Sequence, residues 1–370
     1  MTAPPERPVT RRIEGLPIML VSICLLGLFM FTAPRVFMAP YIYITFLLTL
    51  PPLVLLAMGL TFVIAAGEMN VSFPAVIAFC QFTFAVPIKD YDLGWIAVIA
   101  ALAAGLLIGW VNGLLIAVIG IPALITTLGA QFFWLGLATV ISGGKSYALR
   151  GVEETSVWKV FVGRPLDGIE ALPPWLGDLP IQPVLVLAIV VLAWFVLHRH
   201  RFGENALFVG DSNAVARVVG IDVVRERMRI FMLMGFLSAL AAIFLTLENK
   251  NYFGNQGQGY LLTAIASVLI GGTSIFGGRA TVNGSLSGAM IIGMIEAGLI
   301  ATGLTGSWVR TVQGLVFLFA IIFYFYADEL QRRHEFLARF RRVQPGRGDS
   351  RSTGRGRGRK GAIHHKGGDS

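Results

Sequence analysis

Charged side chains are scarce in this sequence. Asp, Glu, Lys and Arg together make up 14% of its 370 residues, against about 25% in an average globular chain. Hydrophobic residues make up 55%, and the mean hydropathy is +0.72. The composition excludes an ordinary soluble domain. It predicts an all-α polytopic membrane protein, because the long apolar runs are those of membrane-spanning helices.

Cysteines and catalytic motifs are also few. The two cysteines, Cys24 and Cys80, lie in apolar runs, so no disulfide framework is implied. The sequence holds no HExxH, CxxC or nucleophile-elbow motif. Gly144-Lys145-Ser146 looks like the end of a phosphate loop, but Thr139 stands where the first glycine is required. We therefore expect a chain that is not an enzyme, with no catalytic residue, no metal site and no cofactor of its own.

The net charge of +9 does not indicate a nucleic-acid-binding protein. Residues 328–370 contribute +7 of it. From about residue 344 this basic tail is rich in Gly, Arg and Ser, a composition typical of disorder. Such tails can bind RNA or anionic lipid, but a solvated tail is the simpler explanation, and no specific nucleic-acid partner is predicted.

About ten apolar runs, allowing roughly 20 residues each, are predicted to cross the membrane. They cover residues 16–33, 45–66, 71–88, 95–119, 122–142, 182–197, 230–247, 261–275, 282–302 and 308–327. A transmembrane domain of residues 16–327 thus lies between an N-terminal segment, 1–15, and the basic tail, 328–370. Lys and Arg concentrate in the segments predicted inside, which places both termini in the cytoplasm.

Two polar breaks suggest an internal symmetry. Residues 67–70 separate the second and third spans. The Asn- and Gly-rich residues 249–259 separate the seventh and eighth spans, the corresponding position in the second half of the chain, but on the opposite side of the membrane. Inverted repeats produce this arrangement. Spans two to five and seven to ten therefore form a possible inverted repeat.

A charged interval, residues 198–229, lies between two hydrophobic runs and holds six arginines against four acids. An arginine-rich loop beside membrane spans is expected in the cytoplasm. Within it, Asp211 or Ser212 can cap a helix of about two turns that Gly220 ends in a left-handed conformation. Valines at positions 215, 218 and 219 give that helix one apolar face. The face either enters a groove on a partner or lies against the membrane domain as a plain connector.

Residues 206–221, ALFVGDSNAVARVVGI, resemble the cytoplasmic loop of ribose-type ABC-importer permeases, which reads roughly A-x-G-x-N-x-x-A-A-R-x-x-G-I. The matching residues are Asn213, Ala216, Arg217, Gly220 and Ile221, and Val215 stands in place of the usual first alanine. In that family the helix couples the permease to its ATPase subunit. The resemblance therefore implies a coupling site for a cytoplasmic ATP-binding subunit, which itself holds ATP and Mg. The site consists of Asp211, Ser212, Asn213, Ala216, Arg217, Gly220 and Ile221.

Residues 271–288, GGTSIFGGRATVNGSLSG, resemble the G-G-T-S-x-x-G-G-R-G-S-x-x-G-T-x-x-G signature of sugar-type permeases. The sequence departs from it at Ala280, Thr281 and Ser285. Clustered glycines permit close helix approach and sharp reversals. Ordinary glycine packing would leave three residues of this turn unexplained, and they are candidates for the translocation path or its gate: Thr273, Ser274 and Arg279.

Four further polar residues are candidates for the same path or gate. Glu68 and Asn70 belong to the segment GEMNVS, which resembles the family's G-G-I-D-L-S with its acid moved by two positions. An acid at membrane depth is a functional-site hypothesis, whereas an acid at the inner interface is simply hydrated. Asn112 and Glu296 lie within spans, where they either contact solute or bond neighbouring helices.

The resemblance implies the permease subunit of a bacterial ABC importer for a monosaccharide or similar polyol, in the inner membrane. Its partners would be the ATPase, a periplasmic solute-binding protein, a second permease copy or paralogue, and membrane lipid. A branched-chain amino-acid permease of the same superfamily is the nearest alternative, although it would lack the G-G-T-S-x-x-G-G-R form. An ion-coupled transporter that uses Glu68 and Glu296 is a third interpretation.

Overall fold

The computed structural model describes residues 16–91, 93–166, 177, 179–301, 308, 311–319, 321, 322 and 326. Two compact units are distinguished, 1–324 and 325–370, and every element below belongs to the first. The helices are α1 (Leu16–Thr32), α2 (Pro34–Phe37), α3 (Pro40–Ala65), α4 (Phe73–Tyr91), α5 (Gly94–Leu114), α6 (Ala123–Ser142), α7 (Ser156–Phe161), α8 (Gln182–Arg199), α9 (Arg201–Asp211), α10 (Asn213–Val218), α11 (Val223–Asn249), α12 (Tyr260–Ile270) and α13 (Val282–Ala301).

Short irregular elements connect these helices. A π-helix, Leu115–Ile119, continues α5, and 3₁₀ turns cover Val152–Glu154 and Gln256–Gly259. The two short strands β1 (Tyr147–Ala148) and β2 (Asn251–Tyr252) pair antiparallel. Among the described residues, strand structure is limited to this pair, which agrees with the all-α prediction.

Nine of the ten predicted spans coincide with helices in the described part of the chain, and the tenth is described only in pieces, with residues 311–319 helical. Six helices in that part are long and apolar enough to cross a membrane, and two shorter apolar stretches, Leu20–Thr32 and Phe73–Lys89, join them. The prediction of an all-α polytopic membrane protein is confirmed. The predicted N-terminal segment 1–15 and the tail 328–370 lie outside the described residues.

Helix ends differ from the predicted ones where polar residues extend or stop a helix. α11 begins at Val223, seven residues before the predicted span, because the Asp222 carboxylate accepts a hydrogen bond from the backbone N–H of Arg225 at 3.1 Å. The first two turns of α11 are charged, so hydropathy alone does not reveal them. α12 ends at Ile270, five residues early, and Gly272 follows with φ of +84°.

The centre of the bundle is built on α3 and α11, which pack against each other and bury most of their side chains. α5 approaches α11 through glycine: a Cβ atom on Gly105 would overlap the carbonyl oxygen of Gly235, and a Cβ on Gly109 would overlap the carbonyl of Phe231. Small residues are the usual means of close helix packing in lipid, where no hydrophobic force drives the helices together.

Two ends of the bundle are distinguished by their contacts. One end carries α9 and α10, two consecutive helices that form a helical hairpin, and we call it the hairpin end. The opposite end carries β1 and β2, and we call it the strand end. There, Tyr147 of β1 stacks on Tyr252 of β2 with ring centroids 5.7 Å apart. The segment after β2 turns back into the bundle, where Gly257 lies so close to the carbonyl oxygen of Pro74 that it has no room for a Cβ.

α12 continues from this re-entrant segment and has only 11 residues. At 1.5 Å per residue it covers about 16 Å, roughly half of a bilayer core. Residues 249–259 therefore enter the bundle from the strand end, whereas residues 67–70 lie at the hairpin end. The two polar breaks are thus at opposite ends of the bundle, as the sequence predicted. The inverted repeat itself stays a prediction.

The glycine contact between α5 and α11 generates a prediction. Replacing Gly105 by Ala should destabilise the folded chain by about 1–3 kcal/mol, because the added methyl forces the two backbones apart. The matched control is Gly136→Ala on α6, where a Cβ would meet nothing within 4 Å. Thermal unfolding of the purified chain in detergent measures both, and equal midpoints for the two variants would contradict the packing.

Candidate functional site

The charged interval folds as a helical hairpin rather than as a loop with one helix. α9 and α10 are separated only by Ser212, whose hydroxyl accepts a hydrogen bond from the N–H of Val215 at 3.4 Å. Gly220 has φ of +89°, and the N–H of Ile221 reaches the carbonyl of Ala216 at 2.9 Å. The predicted two-turn helix and its left-handed end at Gly220 are confirmed. Of the two predicted caps, Ser212 is the one that bonds.

α9 is an element that the sequence reasoning missed. Asp211, predicted at the start of the coupling helix, is instead the last residue of α9. The signal was present in the sequence, because Gly203, Ala206 and Val209 recur at intervals of three and are all buried on one face. The arginine-rich composition of the interval concealed it.

The hairpin presents an apolar surface away from the bundle. Val215, Val218 and Val219 are 53%, 88% and 65% exposed. Arg217 is exposed beside them, whereas Ala216 is fully buried against the rest of the chain. The two sides of α10 are therefore distinct: one holds the helix in place, and the other offers three valines and an arginine to solvent.

Three backbone segments meet behind the hairpin. Gly210 of α9 lies between the end of α3 and the glycine-rich turn, and a Cβ there would overlap the carbonyl oxygen of Ala65. That carbonyl accepts a hydrogen bond from the N–H of Gly278 at 2.9 Å. A Cβ on Gly277 would lie 2.8 Å from the Cα atoms of both Gly210 and Gly67. We call this contact the glycine junction.

The glycine junction shows where residues 271–288 lie in the fold, which is against α9 and the end of α3. Gly277 and Gly278 both have positive φ, so the turn reverses sharply against α9. Thr273 is fully buried, and the N–H of Ser274 bonds the carbonyl of Arg279 at 2.9 Å, which closes the turn. Arg279 is exposed. The three residues thus lie at the hairpin end, and their role in a translocation path stays a prediction.

An ion pair joins the α3–α4 break to the first turns of α11, beside the hairpin. The Glu68 carboxylate lies 2.8 Å from the Arg227 guanidinium, with 12% and 22% of the two side chains exposed. The Asn213 amide is oriented so that its nitrogen donates a hydrogen bond to the carbonyl of Val209. In this orientation its oxygen accepts a hydrogen bond from the Arg227 guanidinium at 3.0 Å. Arg227 therefore connects the start of α10 to residue 68.

Burial controls the ionisation of Glu68. Desolvation raises the pKa of this carboxyl above its ordinary value, and the Arg227 charge opposes the rise. Glu68 is neither isolated in the membrane nor freely hydrated, the two possibilities that the sequence left open. It is a partly buried ion-pair partner at the hairpin end.

The remaining polar candidates separate into two places. Asn70 and Asn112 are both buried and are joined through Ser72: the Ser72 hydroxyl donates to the Asn70 Oδ1 at 2.8 Å and accepts from the Asn112 Nδ2 at 3.0 Å. Glu296 lies on α13 and is partly buried. The sequence alone did not single out Ser72 or Arg227. It does not show that Ser72 bonds both asparagines, or which of the six arginines pairs with Glu68.

Comparison with known proteins adds the family. A family model described as "Branched-chain amino acid transport system / permease component" matches residues 42–321. The chain belongs to this permease family. It is therefore a membrane transport component, and the family's members are transport subunits rather than catalytic enzymes.

The relatives include sugar permeases. The L-arabinose transport system permease protein of Escherichia coli is 33% identical over 278 residues, 75% of this chain and 80% of that protein. The autoinducer 2 import system permease protein of Klebsiella pneumoniae is 32% identical over 305 residues, 82% and 84% of the two chains. The ribose import permease protein of Escherichia coli is 31% identical over 270 residues, 72% and 80%. The resemblance to ribose-type permeases is confirmed, and no solved structure matches the chain.

The Glu68–Arg227 pair generates a second prediction. Arg227→Gln should destabilise the chain by about 2 kcal/mol, because it leaves a largely buried carboxylate without its partner. The exchange Glu68→Arg with Arg227→Glu should recover part of that loss.

The control lies at the strand end, where Lys250 and Glu153 form a pair at 2.7 Å with 45% and 42% of their side chains exposed. Breaking it by Glu153→Gln should not change thermal unfolding measurably, because exposed pairs contribute little. A double exchange at 68 and 227 that is no more stable than the single variant would show that the two charges do not interact.

Proposed function

We propose that this chain is the permease subunit of a bacterial ABC importer that carries a monosaccharide or similar polyol across the inner membrane. The relatives that import L-arabinose and ribose favour this substrate class. Both termini and the α9–α10 hairpin lie in the cytoplasm, as the concentration of Lys and Arg in those segments favours. The strand end then faces the periplasm, where a solute-binding protein delivers its cargo.

The exposed face of α10 is the single observation that carries the coupling role. Three valines and Arg217 project from a helix whose opposite side is fixed to the bundle. An apolar helix face of this kind suits a groove on another protein. The occupant is the cytoplasmic ATPase, which supplies ATP and Mg, since nothing in the sequence indicates a nucleotide site in this chain.

A second permease copy or a paralogue completes the path. α5 and α6 leave large apolar side chains exposed along their length, including Leu107, Trp110, Phe132 and Phe133. Membrane lipid covers part of this surface, and the second permease covers the rest. The solute then passes between the two permeases.

The mechanism is alternating access. Closure of the ATPases moves α10, and α9 moves with it because only Ser212 separates the two helices. The glycine junction and the Arg227–Glu68 pair pass this displacement to the ends of α3 and α4 and to the glycine-rich turn. Helices α4, α5 and α12 then change their tilt around the solute path.

Two rivals are less well supported. The description of the matching family names branched-chain amino acids, but the relatives named above are permeases for sugars and autoinducer 2. Proton or ion coupling through Glu68 is disfavoured, because that carboxylate is engaged by Arg227.

Uptake by the reconstituted transporter tests the proposal. The chain is placed in liposomes with the ATPase and the solute-binding protein that co-purify with it from its host, and uptake of labelled L-arabinose, D-ribose and L-leucine is compared. We expect sugar uptake that requires both partners and ATP. Uptake of leucine alone would favour the amino-acid rival, and uptake driven by a proton gradient without the ATPase would remove the ABC assignment.

The coupling role of α10 is tested separately. Gly220→Val places a β-branched side chain at positive φ, a strain of order 1–3 kcal/mol, and Arg217→Glu reverses a charge on the docking face. Both variants should reach the membrane normally but lose ATPase co-purification and at least tenfold of the uptake rate.

The control is Arg150→Glu, an exposed charge reversal in the strand-end loop, which should retain the ATPase. If the two α10 variants bind the ATPase and transport at the parent rate, the hairpin is only a connector.

A further inference from the structure

Residues 253–259, which join β2 to α12, reach deep into the bundle. Their tip lies against the beginning of α4, because Gly257 packs on the carbonyl oxygen of Pro74 with no room for a Cβ. The last turns of α4 are at the strand end, where the Lys89 ammonium lies over the Tyr147 ring at 4.5 Å from its centroid. Pro74 is in the first turn of that helix, so the tip is about 25 Å below its strand-end terminus, at 1.5 Å per residue.

The tip is therefore at membrane depth. From it, α12 covers the remaining distance to the hairpin end, about 16 Å. The two distances together match the roughly 40 Å that α11 covers with its 27 residues. A bilayer core is about 30 Å thick, so Gly257 lies well inside it. Irregular backbone at this depth is tolerated only where it is buried in protein or lines a water-filled space.

Part of this segment is open. Asn255 and Gln258 are exposed, Phe253 is 42% exposed, and a Cβ on Gly259 would meet nothing within 4 Å. Two exposed amides at membrane depth cannot face lipid, because their hydrogen-bonding groups would have no partner there. The segment lies between α4 and α12, two of the helices that border the solute path, so its open side faces that path.

The segment is held in place although its tip is open. Gln81 of α4, itself fully buried, donates a hydrogen bond from its Nε2 to the Gln256 Oε1 at 2.8 Å. At the other end of the segment Tyr252 is fully buried, with its ring centroid 5.7 Å from that of Phe82. These contacts fix the backbone on both sides of Asn255. The exposed amides are therefore presented from a supported backbone, as a binding site requires.

The chemistry of the segment favours a neutral solute that is rich in hydroxyl groups. Residues 251–278 contain no charged side chain, so a charged solute would be desolvated there without a partner. A carboxamide both donates and accepts hydrogen bonds. Asn255 and Gln258 can therefore each bond a sugar hydroxyl, which also does both. Phe253, exposed two residues before Asn255, adds an apolar surface.

We propose that residues 253–259 line the solute path inside the membrane and bond a neutral sugar or polyol as it passes. The inference rests on the proposed function and names the residues that contact the solute. Asn255 and Gln258 bond its hydroxyls, and Phe253 contacts its C–H surface. α12 begins at this tip and ends at the glycine-rich turn, so a displacement at the hairpin end reaches the site along a single helix.

Cysteine labelling tests whether the tip lies in an aqueous path. Asn255→Cys and Gln258→Cys are made singly in cells that carry the complete transporter, with Cys24 replaced by Ala and the buried Cys80 left in place. A charged, membrane-impermeant methanethiosulfonate is added outside the cells. We expect both new cysteines to react, and the attached group to lower uptake of labelled L-arabinose or D-ribose at least tenfold.

The matched control is Val191→Cys, an exposed position about halfway along α8 with an apolar surface around it. It should react at least tenfold more slowly, because a charged reagent does not enter lipid. The Cys24→Ala chain alone is the blank. Gln258→Leu, which removes the amide without a label, should lower sugar uptake about three- to tenfold at normal abundance and normal ATPase co-purification.

Two results would overturn the site. Cysteines at 255 and 258 that react no faster than the one at 191 would show that lipid or the second permease covers the tip. Cysteines that react, while neither the label nor Gln258→Leu changes uptake, would show that the tip is wet but does not contact the solute.

The same measurements separate this inference from the proposed function. A parent transporter that imports sugar with ATP, together with either of these results, would remove the site and leave the permease function intact. A parent transporter that imports leucine and no sugar would remove the substrate class, and with it the sugar contacts at the tip.

Discussion

The hydrogen bond from the N–H of Gly278 to the carbonyl of Ala65 is the contact on which the hairpin end depends. It can form because Gly210 packs against both groups without a side chain: a Cβ there would overlap the carbonyl oxygen of Ala65 and the nitrogen of Gly278. Backbone groups freed where a helix ends in or near the membrane must find partners within the protein. In this chain the end of α3 finds its partner in the glycine-rich turn, and the hairpin is fixed in place by the same contact.

This constraint explains why the two specific sequence signatures occur together. The 206–221 and 271–288 stretches are far apart in the chain, yet each supplies glycine to a single junction. A side chain on Gly210, Gly277 or Gly278 would push the hairpin away from the ends of α3 and α12. The glycine-rich turn is therefore a structural support for the hairpin.

Sequence reasoning predicted the helices well, because apolar runs of membrane length are long and unambiguous. It also predicted a cap at Asp211 or Ser212, of which Ser212 is the one that bonds, and the reversal at Gly220, since both follow from local backbone chemistry. It missed α9, although Gly203, Ala206 and Val209 recur at intervals of three there, because the arginines of the whole 198–229 interval favoured a loop. The Glu68–Arg227 pair and the Ser72–Asn112 hydrogen bond escaped for another reason: each joins residues 40 or more positions apart, and one sequence carries no record of such distances.

The same long-range contacts connect the hairpin to the buried Asn112 near the end of α5. Asn213 at the start of α10 bonds Arg227, and Arg227 pairs with Glu68. Glu68 is two residues from Asn70, and Ser72 joins Asn70 to the amide of Asn112. Arg227 therefore links α10 and the α3–α4 break, and the backbone between Glu68 and Asn70 continues the connection to the buried amide of Asn112. The connection consists of one ion pair, several hydrogen bonds and two residues of backbone, whereas the glycine junction beside it consists of backbone contacts alone.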